Sequence, residues 1–228
     1  MNKGFAIAID GPVASGKGTL APNLAKKLKG FYLDTGAMYR CVALYSIQQN
    51  IDPTNKNVIE KLSRELIIEF INGKTIMDGN DVSEKIRTSD VSKISPVIAG
   101  YSGVREALIK KQKEIAEKTL NDGKIVILEG RDIATIVLPG AKFKLYLTAS
   151  SEARAKRRQM QLAEQGEKLD FDTVLKETIE RDKRDIEVNK TLVKYPNKHG
   201  YEILDNSELT QDETLDSALG LLKERGVI

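Results

Sequence analysis

Short apolar runs at residues 5–9, 31–33, 125–128, 143–147 and 202–204 alternate with stretches whose apolar residues fall at helical spacing. That alternation predicts a parallel five-stranded sheet flanked by helices, an α/β architecture. The last helical stretch is the clearest, because Thr210 and Glu213 form a capping-box pair ahead of Leu215, Ala218, Leu219 and Leu222, spaced i, i+3, i+4 and i+7. Between about residues 62 and 91 the pattern changes. Leu66-Ile67-Ile68-Glu69-Phe70-Ile71 is followed by Asn72-Gly73, then Lys74-Thr75-Ile76-Met77, then Asp78-Gly79-Asn80-Asp81. An Asn-Gly pair between β-rich runs predicts a hairpin, and the second turn predicts a third strand, so a small antiparallel β-lobe is inserted here. A charged stretch at 154–198, two helical patterns separated by Gly166-Glu167-Lys168-Leu169-Asp170, is a candidate mobile lid.

A chain of 228 residues with 40% hydrophobic content is long enough for one main domain carrying a smaller lobe. We expect a core of about 1–60, 100–153 and 199–228, with the inserted lobe at about 61–99 and the lid at about 154–198. Thirty-six basic against thirty-three acidic residues leave a net charge of +3, too nearly balanced to argue for nucleic acid or membrane as a partner. Cys41 is the only cysteine, so no disulfide or cysteine-based zinc site forms within the chain, and we expect it to be a small core residue. His199 is the only histidine, which removes the basis for serine–histidine or histidine-rich metal chemistry. With no membrane-length apolar run and no signal-peptide pattern, the expected location is the cytoplasm.

The chemistry concentrates where the first strand ends. Gly11-Pro12-Val13-Ala14-Ser15-Gly16-Lys17-Gly18-Thr19 follows the run 5–9 and leads into Leu20, Leu24 and Leu28 at helical spacing, the strand–loop–helix setting of a phosphate-binding loop. Small residues let successive backbone N–H groups turn toward phosphate oxygens, and Lys17 adds a charge where the helix dipole already favours an anion. Gly18 stands after the lysine, so the hydroxyl expected to help hold Mg²⁺ is that of Thr19. Pro22 predicts a slight distortion of the helix's first turns.

Four further clusters recur in the chain. Asp34-Thr35-Gly36-Ala37-Met38-Tyr39-Arg40 opens a helix and places a guanidinium one turn in, which suits a second anion. Gly130-Arg131-Asp132 ends the run 125–128 at the carboxyl edge of the sheet, with Glu129 able to stand near a metal. Arg154, Arg157 and Arg158, then Arg181, Arg184 and Asp185, are each spaced i, i+3 and i+4 on one helix face. Singly, such faces read as solvated charge; with a phosphate-binding loop, they read as the cations that phosphoryl transfer between two anions requires.

The ordered set resembles the bacterial cytidylate kinases along nearly the whole chain. The matching segments are Ile9-Asp10-Gly11-Pro12 with Gly16-Lys17-Gly18-Thr19, the run 34–40, Asp81-Val82 with Ile86-Arg87, Val104-Arg105-Glu106, Gly130-Arg131-Asp132, Ala149-Ser150-Ser151 with Arg154-Ala155 and Arg157-Arg158, and Arg181-Asp182 with Asp185. The resemblance implies a P-loop nucleoside monophosphate kinase fold, with the β-lobe on the monophosphate side and a helical lid, catalysing ATP + CMP giving ADP + CDP with dCMP also accepted. It implies that Gly11, Pro12, Val13, Ala14, Ser15, Gly16, Lys17, Gly18 and Thr19 hold the ATP phosphates, with Thr19 placing Mg²⁺ and Arg157 and Arg158 closing over ATP. It implies further that Arg40 and Arg131 bind the CMP phosphate in a site lined by Thr35 and Tyr39. Arg105 and Asp132 would read cytosine, and Arg181 with Asp185 would reach phosphate and ribose. Lys17, Arg131, Arg158 and Arg181 would carry the transfer. The family implies a cytoplasmic monomer whose partners are the small molecules ATP and CMP or dCMP, with no nucleic acid or membrane.

The chain departs from the family at three places: Val188 where an arginine is usual, with Lys190 near it; Pro96 beside Ser95 where a base-side serine is usual; and Ala134 where glycine is general. The competing readings are a UMP/CMP or adenylate kinase, of which the eukaryotic UMP/CMP kinases lack the β insert, and an ATP- and CMP-binding regulator that has lost turnover. A nucleic-acid module has little support, since few aromatics accompany the basic residues.

Overall fold

The computed structural model describes residues 4–164, 166–188, 194 and 196–228. In chain order it forms β1 (Ala6–Asp10), α1 (Lys17–Leu28), β2 (Phe31–Asp34), α2 (Thr35–Gln48), α3 (Lys56–Glu65), β3 (Ile68–Ile71), β4 (Lys74–Met77), β5 (Asn80–Asp81), α4 (Ser89–Ala99), α5 (Ser102–Asn121), β6 (Val126–Gly130), β7 (Phe143–Thr148), α6 (Ser151–Glu164), α7 (Phe171–Lys183), β8 (Glu202–Asp205) and α8 (Gln211–Glu224). The chain divides into two compact units, Met1–Tyr32 with Ala116–Ile228, and Leu33–Ile115.

The first unit is built on the expected five-stranded sheet, in the order β2-β6-β1-β7-β8. β1 pairs in parallel with β6 on one side and β7 on the other, and β7 pairs in parallel with β8. Every residue of β1 is buried, which is why its sequence is a continuous apolar run and not an alternating one. Ile7, Ile9, Leu24, Ile127, Leu145, Leu147 and Leu222 form the core on that strand's flank, and none is exposed. At about 1.5–3 kcal/mol for each fully buried large aliphatic side chain, this layer fixes where the strand ends point. The chain leaves β1 toward one edge and later fills the other, so the loop after β1 lies at a topological switch point, the usual ligand crevice of such sheets. α8 starts on the expected capping box: Glu213 N donates to Thr210 Oγ1 at 3.2 Å and Thr210 N donates to Glu213 Oε2 at 2.8 Å. α6 and α7 pack on each other around Ala155, Leu162 and Val174, a small core of their own. α1 runs without a break through Pro22, whose missing N–H would otherwise have faced Gly18.

The second unit contains the predicted three-stranded antiparallel lobe, in the order β3-β4-β5. Ile68 pairs with Met77 and Ile71 with Lys74, so the hairpin turns on Asn72 and Gly73. Both take positive φ, 52° and 77°, and so do Asp78 and Gly79 at 46° and 78°, the backbone that two-residue hairpins demand. Met38, Cys41, Ile59, Ile86, Ile98 and Leu108 make its buried core. Cys41 is the core residue expected; burial pushes its thiol up to about 12, which leaves it unreactive.

A Cβ added at Gly73 would meet nothing within 4 Å, so its φ of 77° alone sets the cost of filling it. Gly73→Ala should lower unfolding stability by about 1 kcal/mol, a drop of roughly 2–4 °C in melting temperature for a chain of this size. Gly140→Ala is the matched control: it also has open space around it but no left-handed backbone, and it should change stability by less than about 0.5 kcal/mol. Equal melting temperatures for the two variants would refute the backbone argument.

Candidate active site

The loop after β1 has the geometry that anion binding requires. Gly11 approaches the Leu147 carbonyl of β7 so closely that a Cβ could not be placed there. Ala14 and Gly16 take positive φ, 57° and 95°, which turns the chain back on itself before α1. Gly16 is the N-cap of α1, with no side-chain cap and no acidic residue in the first turn, so that helix start is left for an external anion.

The loop's carbonyls are held from outside by side-chain donors. Arg131 Nη1 donates to Gly11 O at 2.7 Å, and Lys17 Nζ donates to Pro12 O at 2.8 Å. Arg154 Nη1 reaches Val13 O at 3.3 Å, and Asn206 Nδ2 donates to Ser15 O at 3.0 Å. With the carbonyls anchored outward, the loop's N–H groups are the polar groups left to turn inward.

Lys17 is buried, 6% exposed, and crowded by cations. Burial, then Arg131, lowers its pKa to about 7, with Glu129 and Asp10 opposing and Arg181 adding to the fall. Arg181 is treated likewise: burial, then Arg131, lowers it to about 10, with Arg158 and Arg184 contributing and Asp185 opposing. Lys17, Arg131 and Arg181 therefore share one small region beside the loop, and Arg158 and Arg184 stand close enough to Arg181 to repel it. Asp185 accepts from Arg131 Nε at 3.2 Å, so it aims that guanidinium.

Glu129 is half-buried at the end of β6, where it accepts from the Tyr32 hydroxyl at 3.2 Å. Its Oε1 lies 3.5 Å from where a Cβ on Gly18 would stand, which brings a carboxylate to the first turn of α1, one residue from Thr19. A hard oxygen donor pair at a phosphate loop fits Mg²⁺, which keeps several waters and takes its remaining ligands from substrate phosphates.

A cavity of about 370 Å³ opens beside the loop, lined by Ala14, Gly16, Thr19, Arg157, Asn206 and Thr210 among others. Arg157 does not hang free over it. Its Nη2 donates to Asn206 O at 2.7 Å and its Nη1 to Asn206 Oδ1 at 3.1 Å, which ties α6 to the end of β8. Arg154, placed by its spacing on the same face, is a strut: 4% exposed, it joins Ala149 O, Val13 O, Ser151 Oγ and, at 2.6 Å, Asp182 Oδ2.

Thr35, Tyr39, Arg40 and Arg105 belong to the second unit. The start of α2 is not the open anion site that its sequence suggests, because Asp34 Oδ1 already caps it by accepting from Ala37 N at 2.8 Å. Arg40 Nη2 pairs with Asp34 Oδ2 at 2.7 Å, and Arg87 Nη2 lies 3.6 Å from the same oxygen. Two guanidinium groups on one carboxylate leave this corner with a net positive charge carried by side chains. Gly36 is what allows it, since a Cβ there would press on Arg40 Nη1 and Asp34 Oδ1 at 3.1 and 3.2 Å.

The three departures fare differently. Ala134 has no positive φ and donates its N–H to Asp10, so its methyl group is accommodated. Pro96 is inside α4, and the neighbouring Ser95 hydroxyl is buried without a hydrogen-bond partner. Val188 ends the short helical turn Arg184–Val188, and Lys190 lies outside the described residues.

Sequence reasoning missed Asn206, Asp10 and Tyr201. Asn206 follows the fifth strand directly, so its place at the sheet's carboxyl edge was the available signal. Asp10, a charge ending a fully buried strand, was also visible as an anomaly. Nothing local marks Tyr201.

The cytidylate kinase family model matches residues 7–224. A cytidylate kinase of Caldanaerobacter subterraneus subsp. tengcongensis is 40% identical over 216 residues, 95% of this chain and 93% of that one. Another, of Thermotoga maritima, is 39% identical over 97% of this chain and 98% of that one. Among solved structures, a gluconokinase from Sinorhizobium meliloti 1021 has a TM-score of 0.51 at 13% identity, covering 98% of this chain and 94% of that chain, a likeness of fold alone.

Because Lys17 titrates near 7 in the free protein, phosphates placed beside it must raise its pKa. Nucleoside triphosphate binding at about pH 8 should then take up most of one proton, falling away below about pH 6 where Lys17 is already charged. Calorimetry in buffers of different ionisation enthalpy measures this. Lys17→Arg, which stays charged throughout, should abolish the uptake; buffer-independent binding heats for the unsubstituted protein at that pH would contradict the assignment.

Proposed function

This chain belongs to the cytidylate kinase family, whose members phosphorylate CMP with ATP, and we propose how its own residues divide that work. The observation that carries the reading is the crowding of Lys17, Arg131 and Arg181 beside the loop, where burial, and after it Arg131, lowers the pKa of both Lys17 and Arg181. Cations held against their own repulsion are poised for anions, and transfer between two phosphates needs them most as charge spreads in the transition state.

The loop 11–19 holds the ATP phosphates, Lys17 turns from Pro12 O to the transferred group, and the nucleoside occupies the cavity beside Gly16, Thr19 and Arg157. Thr19 and the phosphates, with Glu129 nearby, would hold Mg²⁺, which would supply charge neutralisation. Arg158 closes over ATP from the lid formed by α6 and α7, within residues 154–198. Arg40 and Arg131 take the CMP phosphate, Thr35 and Tyr39 line that site, and Arg181 with Asp185 reaches phosphate and ribose. Arg105 and Asp132 complement the cytosine edge, which offers an amino donor and two acceptors. A phosphate acceptor is already anionic near neutral pH, so no general base is required. The reading includes dCMP as a second acceptor, with the protein acting as a cytoplasmic monomer on small molecules.

The test is coupled ADP release across CMP, dCMP, UMP, AMP and GMP for the unsubstituted protein, Arg40→Ala and Arg181→Ala. CMP should lead, with dCMP next; faster turnover of AMP or GMP would overturn the acceptor. Each substitution should remove about 3 kcal/mol of transition-state stabilisation, more than a hundredfold in kcat/KM, because a charge-assisted contact is lost. A fall of less than about tenfold would take that side chain out of the site.

A further inference from the structure

Asp10 ends β1 with its carboxylate fully buried, and that carboxylate accepts three hydrogen bonds. Oδ1 accepts from Ile133 N at 2.8 Å; Oδ2 accepts from Ala134 N at 2.8 Å and from the Tyr201 hydroxyl at 2.6 Å. Burial raises the carboxylate's pKa, and the three donors oppose that rise by favouring the ionised form. Burial, followed by the Asp10 charge, pushes the Tyr201 phenol upward, so its proton stays on oxygen and Tyr201 is the donor. A bond of 2.6 Å to a buried carboxylate is of the strong, charge-assisted kind.

The two amides on Asp10 open the π-helical turn Ile133–Val137, directly after Arg131 and Asp132. Arg131 has a second hold one residue from Asp10, at Gly11 O. The Tyr201 ring is itself fixed edge-on against Tyr146 of β7, centroids 5.8 Å apart. Tyr201 is thus joined through one carboxylate to the turn that presents Arg131 and Asp132, although it lies in no motif.

We propose that Tyr201 is a positioning residue for phosphoryl transfer: its hydroxyl, through Asp10, fixes the 133–134 turn and so the placement of Arg131 and Asp132. It touches no substrate. The inference rests on the reading above that Arg131 and Asp132 act on CMP. Without the hydroxyl, Asp10 keeps two backbone donors, and the buried lone pair left unmatched favours a shift of the turn.

Tyr201→Phe removes the hydroxyl and keeps the ring against Tyr146. It should lower kcat/KM for CMP about five- to tenfold while KM for ATP stays within about twofold, a split that general loosening would not give. In an Arg131→Ala background the same change should cost clearly less than in the unsubstituted protein, since the part transmitted through Arg131 vanishes and only the part through Asp132 remains. Asp10→Asn, whose amide hydrogens would face donors, should be worse than Tyr201→Phe. Hydrogen exchange at Ile133 and Ala134 gives a readout free of substrate, and both amides should exchange faster in Tyr201→Phe. Unchanged exchange, or the same loss with and without Arg131, would overturn the proposal. If Arg131→Ala alone left turnover intact, the assignment of Arg131 would fail, and exchange at 133 and 134 would still decide whether Tyr201 holds the turn.

Discussion

The arrangement depends on how the carbonyls of one short loop are held. A loop can offer several N–H groups to an anion only if its carbonyls point elsewhere and find donors there. Here the donors are Arg131 on Gly11, Lys17 on Pro12, Arg154 on Val13 and Asn206 on Ser15. They come from the ends of β6 and β8 and from the helices α1 and α6, all at or beyond the carboxyl edge of the sheet. The loop is therefore shaped by side chains from distant parts of the sequence as well as by its own glycines.

Most of those donors are cations, and their repulsion must be offset. Asp185 faces Arg131, Asp182 faces Arg154, and Asp10 lies near Lys17. Beside the loop the offset is incomplete: burial, and after it Arg131, still lowers Lys17 to about 7 and Arg181 to about 10. The residual imbalance is the functional quantity, because a neutral, well-paired cluster would have no reason to bind polyphosphate. Pairing that was any stronger would compete with substrate, and weaker pairing would cost the fold more than buried charge ordinarily allows.

The sheet was legible in the sequence because its central strands β1, β6 and β7 are largely buried and read as apolar runs, whereas the edge strand β8 is half-exposed and gives a weaker signal. The hairpins were legible because Asn72-Gly73 and Asp78-Gly79 are chemistry that two-residue turns nearly require. Arg131 and Arg181 were legible as candidates from their motifs, and their shared neighbourhood with Lys17 agrees with that reading. What the pattern hid was partnership. Arg154 and Arg157 have the same helical spacing as Arg158, yet one is a buried strut and the other is tied to Asn206, because spacing fixes a face and not what that face meets. The start of α2 misled for a related reason: Asp34 caps the helix with one oxygen and pairs with Arg40 through the other, which the motif alone does not reveal. Asp10 and Tyr201 are 191 positions apart, a separation across which no periodicity speaks.

Ala14 shows what this external bracing permits. An alanine at φ 57° gives up about 1–2 kcal/mol that glycine would keep, and nothing within the loop itself requires a methyl group there. Such a residue persists where its surroundings over-determine the backbone. Val13 O, in the peptide unit before Ala14, is held by Arg154, and Ser15 O, one unit beyond the peptide that follows Ala14, is held by Asn206, so the backbone is anchored on both sides of it. The strain is then stored in a loop already held in its binding shape, which reduces the ordering that a nucleotide would otherwise have to impose. The same Ala14 lines the cavity beside Gly16 and Thr19, where its methyl group adds apolar surface that glycine would not.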